Sequence, residues 1–248
     1  MSEPPASPPR LTVVGGPNGV GKSTFVATLR VAGYPVGRFL NPDDIAQTLS
    51  GAQPARELQA GRETLRHARA LLASRTTFSR ESTLSSNEIL RTMQTAQDAG
   101  FTVVLHFIGV SDVETSKRRV RLRVAQGGHD IPEPIQTRRF AKTFTAASRA
   151  AQIAETAYFF DNAGRAYRLV GLAEQGRVIY LDRQTAPWIA RATQGLVKQA
   201  TADQAAAVAA IKDPARRTEA ARLLQTLQRA AAARQRNNQQ ERDEDIER

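Results

Sequence analysis

The chain contains no cysteine, which excludes a disulfide framework and any zinc site built on thiolates. Only 6% of its 248 residues are aromatic. No hydrophobic run approaches the roughly 18 residues that a membrane-spanning helix needs. The first ten residues include four prolines and lack the apolar stretch of a secretion signal. These absences are typical of a cytoplasmic protein and predict no membrane partner.

Positive charge, by contrast, is in excess: 35 Lys and Arg residues face 24 Asp and Glu residues, giving a formal charge of +11 at pH 7. Such a balance suits phosphorylated ligands, nucleic acid or an anionic surface. Proteins that bind single-stranded nucleic acid interleave basic residues with clustered aromatic rings, and this sequence shows no such clusters. The composition therefore argues against nucleic acid as a partner.

One short segment carries the strongest functional signal. From Gly16 to Ser23 the sequence matches G-x-x-x-x-G-K-[ST], the phosphate-binding loop of P-loop NTPases, and it stands between a strand-like run and a helix-like segment. Its glycines let backbone N–H groups face phosphate, its lysine adds a charge, and its serine can ligate Mg²⁺. The segment predicts binding of ATP or GTP with Mg²⁺. The predicted nucleotide-binding residues are Gly16, Pro17, Asn18, Gly19, Val20, Gly21, Lys22, Ser23 and Thr24.

Strand-like and helix-like segments alternate along most of the chain. This alternation predicts an α/β fold of the P-loop kinase type: a doubly wound, mostly parallel sheet with helices on both faces, plus a helical C-terminal extension. The apolar stripe of residues 202–233 favours packing on the chain's own core over binding a partner. The predicted divisions are a disordered N-terminus at 1–9, a kinase domain at 10–186, the helical extension at 187–233 and a disordered charged tail at 234–248.

Acidic and hydroxyl residues follow two of the predicted strands, at the sheet edge where ligands of such folds bind. Asp43 is the candidate base that takes a proton from an acceptor hydroxyl, and capping of the next helix is its alternative role. Asp44 is expected to cap or to face solvent. Glu81 is the candidate for orienting Mg²⁺ or holding the acceptor. Thr83 is a candidate acceptor contact, again with helix capping as the alternative.

An apolar strand that ends in a metal-orienting aspartate is not evident in the sequence. The strongest apolar run ends in Phe107-Ile108-Gly109, without a carboxylate. Glu81 is the best substitute. This absence counts against a motor or an AAA-type ATPase and favours a small-molecule kinase.

Two arginine-rich helices joined by a glycine loop predict a lid that closes over the triphosphate. Arg119 and Arg123 share one face of the first helix, and Arg138 and Arg139 begin the second. Arginines placed on a transferring phosphoryl group accelerate its transfer strongly. A solvated basic surface is the alternative for some of them. His129, in the connecting loop, is predicted either to contact phosphate or to shape the turn.

Taken together, these motifs resemble the zeta-toxin family of P-loop kinases. The resemblance rests on Gly-Gly-Pro-Asn-Gly-Val-Gly-Lys-Ser-Thr at 15–24, Asn-Pro-Asp-Asp at 41–44, Glu-Ser-Thr-Leu at 81–84, and Gly-Gly-His-Asp-Ile-Pro at 127–132 followed by Arg-Arg-Phe at 138–140. It covers roughly residues 11–182. It implies phosphorylation of the 3′-hydroxyl of the amino sugar of UDP-N-acetylglucosamine with ATP and Mg²⁺. It also implies an antitoxin protein as partner, unless the C-terminal helix acts in cis.

The same resemblance implies a role for each matched residue. Lys22 and Ser23 match the residues that bind the nucleotide and the metal, and Asp43 matches the catalytic base. Glu81 and Thr83 match residues on the substrate side. Arg123 and one of Arg138 and Arg139 match the arginines that stabilise the transition state. Two rival functions stay open. One is a kinase of another small alcohol, such as an antibiotic or a nucleoside. The other is a nucleotide-gated protein whose basic lid holds nucleic acid.

Overall fold

A computed structural model of the chain describes residues 8–128, 130–164, 166–184 and 186–246. The expectations for residues 1–7 and for His129 lie outside these ranges. The strands are β1 Arg10–Gly15, β2 Arg38–Leu40, β3 Phe78–Ser82, β4 Thr102–Gly109, β5 Thr156–Asp161, β6 Arg168–Glu174, β7 Arg177–Leu181 and β8 Val197–Thr201. The helices are α1 Lys22–Val31, α2 Pro42–Gln47, α3 Gln53–Ala73, α4 Asn87–Asp98, α5 Val113–Ala125, α6 Glu133–Ile153, α7 Ile189–Ala192, α8 Gln204–Ala209 and α9 Pro214–Ile246.

The strands of the described residues form one sheet in the order β2-β3-β1-β4-β5-β6-β7-β8. The first five of these neighbours are parallel, β6 runs antiparallel to both β5 and β7, and β8 runs parallel to β7. The predicted mostly parallel α/β sheet is therefore confirmed. In β1, Val14 pairs with Glu81 of β3 on one side and with His106 of β4 on the other. This register brings the carboxyl ends of β1, β3 and β4 to one edge.

Helices cover both faces of the sheet, as predicted. On one face the core includes residues of α3, α4, α6 and α7, among them Ala68, Met93, Phe144 and Ile189. On the other face it includes residues of α1, α8 and α9, among them Phe25, Val208, Leu223 and Leu227. The apolar stripe in the C-terminal part thus packs on the chain's own core. Within the described residues, no helix is long and apolar enough to cross a membrane.

The C-terminal part differs from the prediction in three respects. Strand β8 lies inside the segment expected to be a purely helical extension, and it lengthens the main sheet. The helix expected over residues 202–233 is divided into α8 and α9, because Pro214 cannot continue a helix but suits its first turn. Helix α9 then extends to Ile246, through residues expected to be disordered. Residues 215–246 contain no glycine or proline and are rich in strong helix formers, which explains the continuation.

Candidate functional site

The loop between β1 and α1 has a backbone that favours glycine at three positions, Gly16, Gly19 and Gly21, and two of them show how closely other segments approach. Gly16 has φ 150°, and a Cβ there would lie 2.2 Å from the carbonyl oxygen of Ile108. Gly21 has φ 88°, and its Cβ would lie 2.9 Å from Nδ2 of Asn162. Both angles fall in the left-handed region that glycine tolerates without steric cost. The glycines of the motif thus allow neighbouring segments to close tightly around the loop.

Lys22, Ser23 and Glu81 form one connected cluster at the start of α1. The buried Lys22 donates a hydrogen bond from Nζ to the Pro17 carbonyl oxygen at 2.9 Å, and Nζ lies 3.6 Å from Oε1 of Glu81. Ser23 donates from Oγ to Oε2 of Glu81 at 2.9 Å. The adjacency of β1 and β3 produces this arrangement, because Glu81 stands directly beside the loop. The structure therefore brings together three residues that the sequence assigned to nucleotide and metal.

Oxygen ligands of the kind that Mg²⁺ prefers are present in this cluster. Mg²⁺ is usually held by one or two carboxylates with phosphate and water completing its shell. The Ser23 hydroxyl and the Glu81 carboxylate match that pattern, since they lie within hydrogen-bond distance of each other beside the phosphate loop. In the part of the chain that the structure describes, no group of three or more His, Asp or Glu side chains could hold a metal by itself. The residues thus fit a Mg²⁺ ion that arrives with a nucleotide.

The start of α2 shows which residue caps it. Asn41 is the cap: its Oδ1 accepts a hydrogen bond from the Asp43 backbone N–H at 3.0 Å, and its Nδ2 donates to Oδ1 of Asp44 at 2.9 Å. The Asp43 carboxylate takes no part in this cap, so its alternative role as an N-cap is not observed. The side chain is 44% exposed, and its Oδ2 lies 4.0 Å from Nη1 of Arg123. Asp43 and Arg123, far apart in sequence, therefore meet.

Residues after β3 connect the sheet edge to α6. The Thr83 hydroxyl shares a hydrogen bond with that of Ser85 at 2.8 Å, whereas α4 begins after Ser86 without a side-chain cap. Helix capping by Thr83 is thus not observed. The hydroxyl oxygen of Thr143 on α6 lies 2.8 Å from the carbonyl oxygens of both Thr83 and Arg139, which share its one proton. This link fixes the turn of α6 that carries Arg139 beside the end of β3.

The structure separates the two arginines at the start of α6. Arg139 lies one helical turn before the buried Thr143 and is itself half-buried. Arg138 is exposed and lies on the face of the exposed Lys142. Side chains four residues apart share a helix face, so Arg139 lies on the face of α6 that carries Thr143, whereas Arg138 faces solvent.

Contacts across the predicted lid join α3, α5 and α6. Gln53, at the start of α3, donates from Nε2 to the carbonyl oxygen of Asp130 at 3.1 Å. Glu133 of α6 lies 2.6 Å from Nη1 of Arg121 and 3.5 Å from Nζ of Lys117 on α5. The Arg121–Glu133 pair is solvent-exposed on both sides and is therefore weak by itself, whereas the Lys117 side chain is only 14% exposed. Helices α5 and α6 are thus joined by ion pairs of unequal exposure.

Four residues that the sequence did not assign to the nucleotide loop contact it or its neighbours. They are Ser116 and Arg119 of α5 and Asn162 and Tyr167 of the β5–β6 connection. The segment 161–164 carried one usable signal, because Asp-Asn-Ala-Gly follows a strand that ends at the ligand-binding edge. Nothing in the local sequence shows that Tyr167 reaches the loop. Burial raises the pKa of Tyr167 to about 12 although Arg234 and Arg119 lower it, so the phenol stays a hydrogen-bond donor.

Residues 11–147 match the sequence model of a family described as an AAA domain. The chain belongs to this AAA domain family. A relative from Haemophilus influenzae (strain ATCC 51907 / DSM 11121 / KW20 / Rd), an uncharacterized protein, is 36% identical over 126 residues, which are 50% of this chain and 88% of the relative. The family's description runs against the expectation that the chain is not AAA-type. The matched range contains the phosphate loop, Asp43, Glu81, Arg123 and Arg139.

Several solved structures are similar in fold to this member of the AAA domain family. A complex of AvrRxo1-ORF1 with ORF2 and ATP matches with a TM-score of 0.58 and 19% identity, over 89% of this chain and 77% of the other. The AvrRxo1 complex with sulphate ions matches with a TM-score of 0.59 and 17% identity, over 92% and 80%. A chain of the PezAT toxin–antitoxin system of Streptococcus pneumoniae matches with a TM-score of 0.51 and 14% identity, over 90% and 88%. At these identities the matches show the fold alone, a mostly parallel sheet with helices on both faces.

Proposed function

We propose that the chain is an ATP-dependent kinase that transfers the γ-phosphate to a hydroxyl group. The observation that carries this proposal is the contact of Glu81 with both Lys22 and Ser23. Asp43 lies at the same edge of the sheet, in the helix that follows β2. A phosphate loop, a carboxylate beside its metal-binding serine and a separate carboxylate for the acceptor are the parts that phosphoryl transfer needs. A binding protein without chemistry would not need Asp43.

On the nucleotide side, the loop N–H groups and Lys22 would hold the β- and γ-phosphates. Lys22 would exchange its bond to the Pro17 carbonyl and its ion pair with Glu81 for contacts with phosphate. Ser23 and Glu81 would hold Mg²⁺, which would neutralise part of the phosphate charge. Lys22, Ser23 and Glu81 already lie next to one another beside the loop. Nucleotide binding would therefore require these side chains to exchange their present contacts for phosphate and Mg²⁺, without a change of fold.

On the acceptor side, Asp43 would accept the proton of the attacking hydroxyl. The bond from the acceptor oxygen to the γ-phosphorus forms, the bond to the β–γ bridging oxygen breaks, and ADP leaves. Arg123 and Arg139 would stabilise the charge that spreads over the transferring group. Arg138 faces solvent, and for this reason we assign the role to Arg139.

We further propose UDP-N-acetylglucosamine as the acceptor, phosphorylated on the 3′-hydroxyl of its amino sugar, with the reaction in the cytoplasm and an antitoxin protein as partner. The motifs at 15–24, 41–44, 81–84 and 127–132 support this through their resemblance to zeta toxins. The similar fold of a toxin–antitoxin system from Streptococcus pneumoniae is in accord with it. A kinase of another small alcohol uses the same site and differs only in the acceptor.

Transfer of labelled γ-phosphate from ATP to UDP-N-acetylglucosamine tests the proposal. The unchanged chain should label the sugar nucleotide, and Lys22→Ala and Asp43→Ala should not. A panel of other alcohols, including nucleosides and aminoglycosides, is assayed in parallel. Labelling of a different alcohol would overturn the acceptor and keep the kinase, whereas labelling of none, with ATP still bound, would overturn the kinase assignment.

A further inference from the structure

Three carbonyl groups of the phosphate loop are held by side chains from outside it. The Ser116 hydroxyl of α5 donates to the Asn18 carbonyl oxygen. Asn162 donates from Nδ2 to the Val20 carbonyl oxygen at 2.9 Å, and the Tyr167 hydroxyl donates to that of Gly21 at 2.7 Å. These donors belong to two segments, more than 90 residues beyond the loop in sequence. The convergence of three such donors on the carbonyls of one short loop calls for a structural reason.

Peptide geometry supplies one. In a trans peptide the C=O of one residue and the N–H of the next point in opposite directions across a rigid plane. The described residues contain no cis peptide bond. A donor that holds the carbonyl of Asn18, Val20 or Gly21 therefore also fixes the direction of the N–H of the following residue, on the opposite side of the peptide. The Gly21 carbonyl oxygen accepts a second hydrogen bond, from the Phe25 N–H of α1 at 2.9 Å, so Tyr167 and the first turn of α1 hold this peptide together. The N–H groups fixed in this way are those of Gly19, Gly21 and Lys22.

We propose that Ser116, Asn162 and Tyr167 are positioning residues that set the loop's affinity for phosphate. The proposal rests on the proposed binding of ATP and goes beyond it by assigning the origin of the preformed anion site. A concave array of N–H groups binds an anion well only when the groups already converge, because reorienting each peptide on binding costs free energy. The three donors hold that convergence in the unliganded loop.

The surroundings of the donors suit a fixed frame. Ser116 is buried, and Asn162 is itself held by Arg119, which donates from Nη2 to the Asn162 carbonyl oxygen at 2.8 Å. The Tyr167 ring packs edge-on against Phe25 of α1 at 5.0 Å between ring centres. Arg234 of α9 lies 6.0 Å above the same ring and donates to the Thr28 hydroxyl at 3.1 Å. The frame therefore extends from α5 to α9.

Isothermal titration calorimetry with three ligands tests the assignment. The variants are Ser116→Ala, Asn162→Ala and Tyr167→Phe, and the ligands are ATP, inorganic tripolyphosphate and adenosine. Ser148→Ala and Tyr180→Phe are matched controls: Ser148 donates to a backbone carbonyl far from the loop, and Tyr180 lies in β7. Each variant should weaken ATP and tripolyphosphate about threefold to tenfold, the usual worth of one hydrogen bond. The affinity for adenosine should stay unchanged in the three variants. The two control variants should bind all three ligands as tightly as the unchanged chain does.

Unchanged tripolyphosphate affinity in Tyr167→Phe, which keeps the ring and hence the packing, would overturn the positioning role even if the other variants failed to fold. An equal loss of adenosine affinity would also overturn it, since the residues would then support the fold in general. If the unchanged chain bound neither ATP nor tripolyphosphate, the proposed kinase would fail as well. The last result is thus distinct from a failure of the positioning role alone.

Discussion

The two sides of the ligand-binding edge are built differently. On the nucleotide side, Lys22 and Asn18 are 6% and 8% exposed, and the loop is bonded to α5, to β3 and to the β5–β6 connection. On the acceptor side, the Asp43 and Arg123 side chains are 44% and 39% exposed and lie 4.0 Å apart. The phosphate loop is thus buried and bonded to three neighbouring segments, whereas Asp43 and Arg123 are partly exposed and meet only at 4.0 Å.

This difference fits what each side would bind under the proposed function. A triphosphate has a fixed geometry and dense charge, so a rigid set of N–H groups recognises it best. Transfer of phosphate to an alcohol rather than to water requires the acceptor to displace solvent before the reacting groups converge. The exposed Arg121–Glu133 pair of the lid is weak enough to rearrange when the lid closes on a substrate and opens on product. We therefore expect changes on the nucleotide side to alter affinity, and changes on the acceptor side to alter turnover.

Lys22→Ala should give the largest effect, because it removes the only side-chain charge that the loop itself offers to phosphate. We expect transfer to fall about a thousandfold, in keeping with the loss of one preorganised charge-stabilising donor. The measurement is transfer of labelled γ-phosphate together with ATP affinity by calorimetry. Lys198→Ala, on the exposed strand β8, is the matched control and should leave both unchanged. If Lys22→Ala kept both its ATP affinity and its transfer activity, the phosphate loop would not be the nucleotide-binding site.

Asp43→Ala should separate turnover from affinity. We expect kcat to fall at least about a hundredfold while ATP affinity stays within about twofold, since a general base acts on the acceptor proton alone. Steady-state kinetics and calorimetry on one preparation provide both numbers. Asp44→Ala is the control, because Asp44 is bonded to the cap residue Asn41. A large loss of ATP affinity in Asp43→Ala would instead assign this carboxylate to the metal or to the structure.

The sequence predicted the fold well where signals were local. The apolar run of β4 and the glycine-rich loop indicate a strand and a strand–loop–helix unit without reference to distant residues. Prediction was poorer at the C-terminus. Strand β8 is exposed along its whole length and so lacks the apolar pattern of a strand, and its place in the sheet depends on pairing with β7.

The site shows the same limit. Lys22, Ser23 and Glu81 could be predicted because a motif and the ends of strands mark them. Ser116 and Tyr167 could not, since their roles depend on where α5 and β6 cross the loop in space. Arg139 could be separated from Arg138 only once the contact of Thr143 with Thr83 fixed the rotation of α6.

Arg139→Ala tests that rotation and the acceptor side together. We expect kcat to fall about tenfold to a hundredfold, because a half-buried arginine that stabilises the transferring charge is only partly screened by solvent. Arg138→Ala removes the neighbouring arginine, which faces solvent, and should lower kcat less than about threefold. Because each variant also loses one surface charge, kcat is compared at low and at high salt by steady-state kinetics. Equal losses in both variants would mean that the lid acts through its overall charge.

The smallest expected effect concerns what lies beneath the nucleotide side. His106 of β4 is fully buried among the rings of Phe25, Tyr34, Tyr158 and Phe160, and neither ring nitrogen has a hydrogen-bond partner in the described residues. Burial, with a smaller contribution from Arg10, lowers the pKa of His106 from 6.5 to about 3. Because the folded pKa is depressed, the unfolded chain binds a proton first as pH falls below about 6.5. The folded state therefore loses stability from there down to about pH 3.

At pH 5 this loss should amount to about 2 kcal/mol relative to pH 7, since each unit of pKa difference contributes about 1.4 kcal/mol. Urea unfolding at both pH values measures it. His106→Gln should reduce it, and if that variant does not fold, an NMR titration of the His106 imidazole serves instead. An imidazole that titrates between pH 5 and 8 in the folded chain would contradict the prediction. It would also mean that the layer beneath the phosphate loop admits water, so that the nucleotide side is less rigid than its contacts indicate.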